Sequence, residues 1–325
     1  MTTWKRAALA AAVALTVFGA LPAAAQTWPT KPVRFIVPFP PGGSVDPLAR
    51  LLGAKLSESL GQQFIVENRP GASGSLGATV AARSPADGYT FLFVFDTHAV
   101  NPALMPDLPF NTEKDLAPVM LVGTAPMAIA TKADKPYKSF ADVVAAAKAK
   151  PDAVTYGSVG SGSLGHLAVT LAQQPLGIKL VHVPYRGGGP MTQDALGGHI
   201  ELAIGSVAVL SSHIKAGTLR AIVQTGDKRS QVIPDVPTLA ESGLPGFSAV
   251  AWWGIFAPTG TPDPVMQRIH AELVKAINLP DVNKTLTETL GMQIQASSPA
   301  ELQKFLTSEM QRWAKVVKDN NIKAE

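Results

Sequence analysis

The chain has 325 residues, 46% hydrophobic and 16% charged, with a net charge of +4 and no cysteine. The length admits about two domains. The charge lacks the basic runs of a nucleic-acid binder. The missing cysteine excludes disulfides, a thiolate nucleophile and a lipidated anchor.

Lys5 and Arg6 form a basic start, residues 7–21 an apolar run, and Ala23, Ala24 and Ala25 a small-residue cleavage site before Gln26. This pattern predicts a secretory signal peptide over 1–25, cleaved near Ala25. The apolar run is shorter than the ~20 residues a membrane span needs. No second run of that length follows, so the mature protein is expected to be exported and soluble. Losing Lys5 and Arg6 lowers the net charge from +4 to +2.

Residues 34–39 are apolar and partly β-branched, with strand character. Pro40, Pro41, Gly42 and Gly43 break the strand. Asp46 and Pro47 then read as N-cap and first helical residue, and Leu48, Leu51, Leu52 and Leu56 continue at helical spacing to about Gly61. Strands are expected at 64–67 and 89–95, with a helix over 78–83 between them. This β-α-β-α-β order predicts a parallel, doubly wound sheet. Residues 96–118 read as a loop-rich crossing, and 119–131 as a long extended run interrupted by Pro126. A helix is expected at 140–148, capped by Ser139.

The series then restarts, with strands at 154–159, 179–183, 200–205 and 219–225. Helices at 166–174, 191–196 and 207–216 separate them. Residues 252–257 form one more extended run, and helices at 264–277 and 299–317 close the chain. Two α/β series joined by two extended crossings predict two lobes with a ligand cleft between them. The expected division is 26–125 with 247–325 for one lobe and 126–246 for the other. The pentapeptide SGSLG, at 73–77 and 161–165, is a faint internal echo of such duplication.

The glycine loop after the first strand should lie at the carboxyl edge of the sheet. Its N–H groups and helix dipole suit a carboxylate or phosphate. Phe39, Pro40, Gly42 and Gly43 are the candidate contacts there. Gly160 to Gly165 matches GxGxxG, but the next strand ends in Val183, Pro184, Tyr185 and Arg186 with no acid, which argues against a dinucleotide. What remains is a helix start with Ser161, Gly162 and Ser163, suited to a carboxylate or simply a capped turn. Arg186, before Gly187, reads either as a carboxylate clamp or as a solvent-facing side chain. His98 and His166 fit anion donation or structural hydrogen bonding. Asp46 fits a helix cap or a cleft carboxylate. Trp252, Trp253 and Phe256 fit hinge packing, with one ring, such as Trp253, walling the cleft. No GxSxG elbow, phosphate-binding P-loop or HExxH spacing occurs, and no cofactor or metal is expected.

The chain also resembles a known family. PFPPGGSVDPLAR (38–50), ENRPGASGSLG (67–77), PADGYT (85–90) and NPAL (101–104) look like the Bug family, the periplasmic solute-binding proteins of tripartite tricarboxylate transporters. HVPYRGGGP (182–190), HIKAGTLRA (213–221), PDVPTLAESGLPGF (234–247) and WWG (252–254) continue the match in order. The resemblance implies a type II periplasmic-binding-protein fold, with two doubly wound α/β lobes joined by two hinge strands. It implies capture of a small carboxylate, no catalysis, and delivery to membrane permease subunits by a monomeric periplasmic receptor. A ligand-sensing partner of a membrane signalling protein, or an exported enzyme, would use the same cleft. In the family the loop after the first strand, here 39–46, holds one carboxylate through backbone N–H groups and ordered waters. The facing loop, here 158–166, binds the other end. Phe95 and Asp96, beside Thr97, stand where Ser and Gly are expected, and Gly205 and Ser206 where Asp and Asn are usual. These departures suggest a ligand with an apolar or aromatic body rather than a short polar diacid.

Overall fold

The computed structural model describes Trp28–Lys323, so the leader read at 1–25 lies outside the described residues. Strand β1 (Val33–Val37) is almost wholly buried, as a strand covered by helices on both faces must be. Helix α1 (Val45–Leu60) buries Leu48, Leu52 and Leu56. It ends where Gly61 takes a left-handed φ of 69° and its N–H closes onto Ser57 O. Strand β2 (Phe64–Asn68), α2 (Ser75–Ala82), β3 (Thr90–Val94), α3 (Thr97–Leu104) and the 17-residue β4 (Leu116–Lys132) follow.

The second series comprises α4 (Phe140–Ala149), β5 (Thr155–Ser158), α5 (Leu164–Leu176) and β6 (Val181–Pro184). It continues with α6 (Gly188–Gly197), β7 (Leu202–Ser206), α7 (Val207–Lys215) and β8 (Leu219–Gln224). The expected Ser139 cap is present, as a full capping box with Asp142. The chain returns through β9 (Val250–Pro258), α8 (Asp263–Ile277), α9 (Pro280–Lys284), β10 (Gln293–Ile294) and α10 (Pro299–Asp319). Among the described residues no helix is long and apolar enough to cross a membrane.

The two sheets share one plan. The first lobe reads β2-β1-β3-β9-β4 and the second β6-β5-β7-β4-β8. In each, three parallel strands meet an antiparallel fourth, β9 or β4, contributed by a crossing segment. Strand β4 therefore belongs to both. Its partners change from β9 to β7 and β8 just beyond the pair Pro126↔Val250. The expected interruption at Pro126 is instead a continuous strand, because a missing N–H is tolerated where pairing changes hands. The second crossing is stitched at Ala249, whose N–H donates to Thr225 O.

Two other expectations are corrected. The loop-rich crossing at 96–118 contains α3, despite Pro102 inside it, because Ala99, Val100 and Leu104 are buried there. The echo SGSLG does not mark equivalent places. One copy follows the second strand of its lobe, and the other follows the first. Alternation along β9 sends successive tryptophans to opposite faces. Trp252 joins Leu302 and Leu306 of α10 in one apolar cluster, while Trp253 faces α1, where its Nε1 donates to Ser44 Oγ at 3.1 Å.

Helix α2 lies so close to the end of β1 that a Cβ on Gly77 would fall 2.8 Å from Pro38 Cα and 2.9 Å from Arg69 O. Backbone cannot yield as a flexible side chain does. Gly77→Ala is expected to destabilise the fold by roughly 1–3 kcal/mol, read as a lower urea midpoint at unchanged slope.

Candidate functional site

The lobes touch across the cleft through residues without bulk. A Cβ on Gly42 would lie 3.6 Å from Gly189 Cα, and one on Gly187 3.0 Å from Pro40 Cδ. A Cβ on Gly162, at φ +72°, would overlap Leu104 Cδ1 at 1.7 Å. Hydrogen bonds between the lobes include two beside these glycine contacts. Ser73 Oγ donates to Ser161 O at 3.2 Å, and Leu164 N–H donates to Asp96 Oδ1 at 3.1 Å. The two SGSLG segments, unrelated by fold position, therefore meet face to face.

Between these contacts lies a small inner chamber of about 20 Å³, lined by Phe39, Gly43, Ser44, Val45, Phe95, Val159, Gly188, Ser206 and Val209. The starts of α1, α6 and α7 converge on it. None of the three is capped by a side chain, so backbone N–H groups face the chamber without a built-in acceptor. Ser206 Oγ is buried and unpartnered. No charged side chain lines this space among the described residues. Phe39 and Phe95 are its aromatic wall and meet edge-on at 6.2 Å, whereas Trp253, expected to wall the cleft, is fully buried behind Phe95 at 5.3 Å and lines none of these spaces.

The structure brings some candidates together and diverts others. Asp46 lies in the first turn of α1, since the helix begins at Val45 rather than at Pro47. Its carboxylate accepts from Arg50 Nε at 3.1 Å and Asn68 Nδ2 at 2.9 Å, which ties down the loop; the expected N-cap role falls to Ser44 instead, and Asp46 does not line the chamber. Thr97 and His98 line a minor cavity of about 10 Å³ behind Phe39. Gly162, Ser163 and His166 line none of these spaces. Gly162 N–H donates to His166 Nδ1, and Ser163 Oγ caps α5 by accepting from His166 N–H. His166 stacks on His182 at 3.9 Å and 11°, with His182 Nε2 2.7 Å from Ser158 Oγ.

A second, outer chamber of about 420 Å³ opens beyond Phe39 and Val159, which line both spaces. Its walls are Gly71, Ala72, Ser73, Gly74 and Met105 from one lobe and Val159, Gly160, Ser161, Pro184, Tyr185 and Arg186 from the other. Ser161 and Arg186, both candidates from the sequence, line this chamber, and the 71–74 turn, not among the candidates, faces them. The available signal was the SGSLG echo, which marks the two segments that meet.

Burial sets the electrostatics. It pushes the Asp96 carboxyl up to about 7, opposed by the Leu164 N–H and reinforced by nearby Glu309 of α10. It lowers His98 to about 3 and His166 to about 4. His182 falls to about 3, burial first and the His166 charge second. The three imidazoles are therefore neutral at pH 7, and the inner chamber presents dipoles rather than cations. Among the described residues no group of three or more His, Asp or Glu is placed to hold a metal.

A family model described as the tripartite tricarboxylate transporter family receptor, TctC, matches residues 48–322. The chain belongs to that family. Solved structures agree with this assignment. The periplasmic binding protein BugD is 30% identical, covers 92% of this chain and 100% of its own, and has a TM-score of 0.87. An R. palustris protein solved with adipate is 33% identical with the same coverages and a TM-score of 0.88. MatC from Rhodopseudomonas palustris, solved with malate, is 32% identical, covers 89% and 100%, and scores 0.83. The fold is thus the two-lobed periplasmic-binding-protein fold expected from the sequence, and the family's members are solute-binding receptors.

Asp96 offers a test of the interlobe contact. Its raised pKa means that its stabilising contribution is present at low pH and is lost as pH rises through about 7. Asp96→Asn keeps an acceptor for Leu164 N–H but cannot ionise. It is expected to be more stable than wild type by roughly 1–3 kcal/mol above pH 7, the difference closing only towards pH 4, near the ordinary carboxyl value. Melting temperatures of both proteins across pH 4–8 check this.

Proposed function

We propose that this chain is a periplasmic receptor that captures an organic carboxylate between its lobes and hands it to membrane permease subunits. The carrying observation is the convergence of three uncapped helix starts on an enclosed chamber without charged side chains. Such a chamber offers several N–H donors to a carboxylate and no competing side-chain anion. The rings of Phe39 and Phe95 favour a ligand with an apolar or aromatic body beside that carboxylate. Solved relatives carrying adipate and malate support a carboxylate as the ligand class.

The protein in this reading binds without turnover, as a monomer, exported by a leader ending near Ala25. The lobes divide as 26–125 with 247–325, and 126–246. Binding without turnover accords with the fate of the titratable candidates, since Asp46 is held by Arg50 and Asn68 and His98 is buried. Closure around the ligand shifts an open–closed equilibrium, and the closed form is the one a permease would recognise.

Thermal shifts of the purified mature protein against benzoate, phenylacetate, adipate, glutamate and citrate test the reading. A bound acid at a hundredfold excess over Kd stabilises by about 2.7 kcal/mol. Apolar-bodied acids are expected to shift the melt. Phe95→Ser should weaken them about tenfold while strengthening short diacids. Sub-micromolar binding of glutamate or citrate, with no binding by the apolar-bodied acids, overturns the ligand class.

A further inference from the structure

Asp96 lies between β3 and α3 at the rim of the cleft and is 1% exposed. Its Oδ1 accepts from Leu164 N–H, at the start of α5 in the other lobe, at 3.1 Å. Its Oδ2 is buried and makes no hydrogen bond. Water would hydrate both oxygens of an ionised carboxylate, and this site leaves one of them bare.

The surrounding elements supply no counter-charge. Helix α10 presents a second acid, Glu309, whose Oε2 accepts from Trp313 Nε1 at 2.7 Å and whose Oε1 lies 3.7 Å from Arg312. Helix α5 carries His166, whose Nδ1 is occupied by Gly162 N–H. On α3 itself His98 is buried, its ring 5.0 Å from Phe256 of β9. Strand β9 and the 71–74 turn, where Asn101 Nδ2 donates to Ser73 O, carry no charged side chain. Both imidazoles are neutral at pH 7. The charge that acts on Asp96 is that of Glu309, and it repels the ionised form.

Resting on the receptor reading, we propose that Asp96 is a proton-operated latch on the cleft: taking up one proton from solvent holds the lobes closed over the solute, and giving it back favours opening and release. Parting the lobes takes Leu164 away from Oδ1 and admits water, which hydrates the ionised form. The closed form therefore binds more protons than the open one, and by linkage closing is favoured as pH falls. With the closed-state group near 7 and the open-state group near the ordinary carboxyl value, the effect runs from about pH 4 to about pH 7 and levels off above it. Within that window each pH unit changes the ratio of closed to open by up to about tenfold.

Small-angle scattering of the ligand-free mature protein and calorimetry with phenylacetate, both from pH 5.5 to 8.5, test the latch. The wild-type radius of gyration should rise with pH and level off above about pH 7, and phenylacetate affinity should fall about tenfold over the same range. Asp96→Asn keeps an acceptor for Leu164 N–H and cannot ionise, so it should hold the smaller radius and one affinity throughout. Glu309→Gln removes the repelling charge, keeps an acceptor for Trp313, and should move the wild-type transition to lower pH. An unchanged wild-type radius, a phenylacetate affinity that does not vary with pH, or the same changes in Asp96→Asn overturn the latch and leave the receptor reading standing. Failure of phenylacetate and the wider acid panel to bind, with the radius responding as described, overturns the receptor reading and leaves the proton-linked closure standing.

Discussion

A helix starts with N–H groups that its own turns cannot use, and the cleft is arranged around three such starts. Helices α1, α6 and α7 each follow a strand of a doubly wound sheet, so they begin at the sheet's carboxyl edge. Turning the two edges towards each other brings the three starts together. The polarity of the chamber thus comes from backbone rather than from arginine, lysine or histidine. Backbone donors do not titrate, and the nearby imidazoles are neutral at pH 7. Little distinguishes such a site from a turn when side chains alone are considered.

Closure depends on the same economy of bulk. Gly42 against Gly189, Gly187 against Pro40 and Gly162 against Leu104 let backbone approach backbone. The rings of Phe39 and Phe95, backed by the buried Trp253, supply an apolar surface in the gap. Strand β9 makes this possible by alternation, with Trp252 in the core under α10 and Trp253 behind the cleft.

Much of the architecture was legible because apolar runs, glycine breaks and the order of elements are local signals. The two lobes, the two crossings and the first-strand loop follow from them, and the family motifs agree. What failed had a tertiary cause. Helix α3 carries a proline and is held by burial rather than propensity. Asp46 suits a helix cap by sequence, but the helix begins one residue earlier and its carboxylate is held by Arg50 and Asn68. Gly162, Ser163 and His166 form a turn of the expected kind, but their polar groups satisfy one another. The 71–74 turn and the Asp96–Leu164 bond involve partners 88 and 68 positions away, and no local pattern announces them.

Those two cross-cleft bonds bear on how long a ligand stays. Both join the chain to itself, Ser73 to Ser161 O and Leu164 to Asp96, so they hold whatever solute lies beneath. Parting the lobes at this rim breaks both together with the glycine contacts. They therefore act on the dissociation rate for every solute alike, while the chambers set which solute is preferred. How long a solute is held is a property of the rim, separable from the chemistry of the interior.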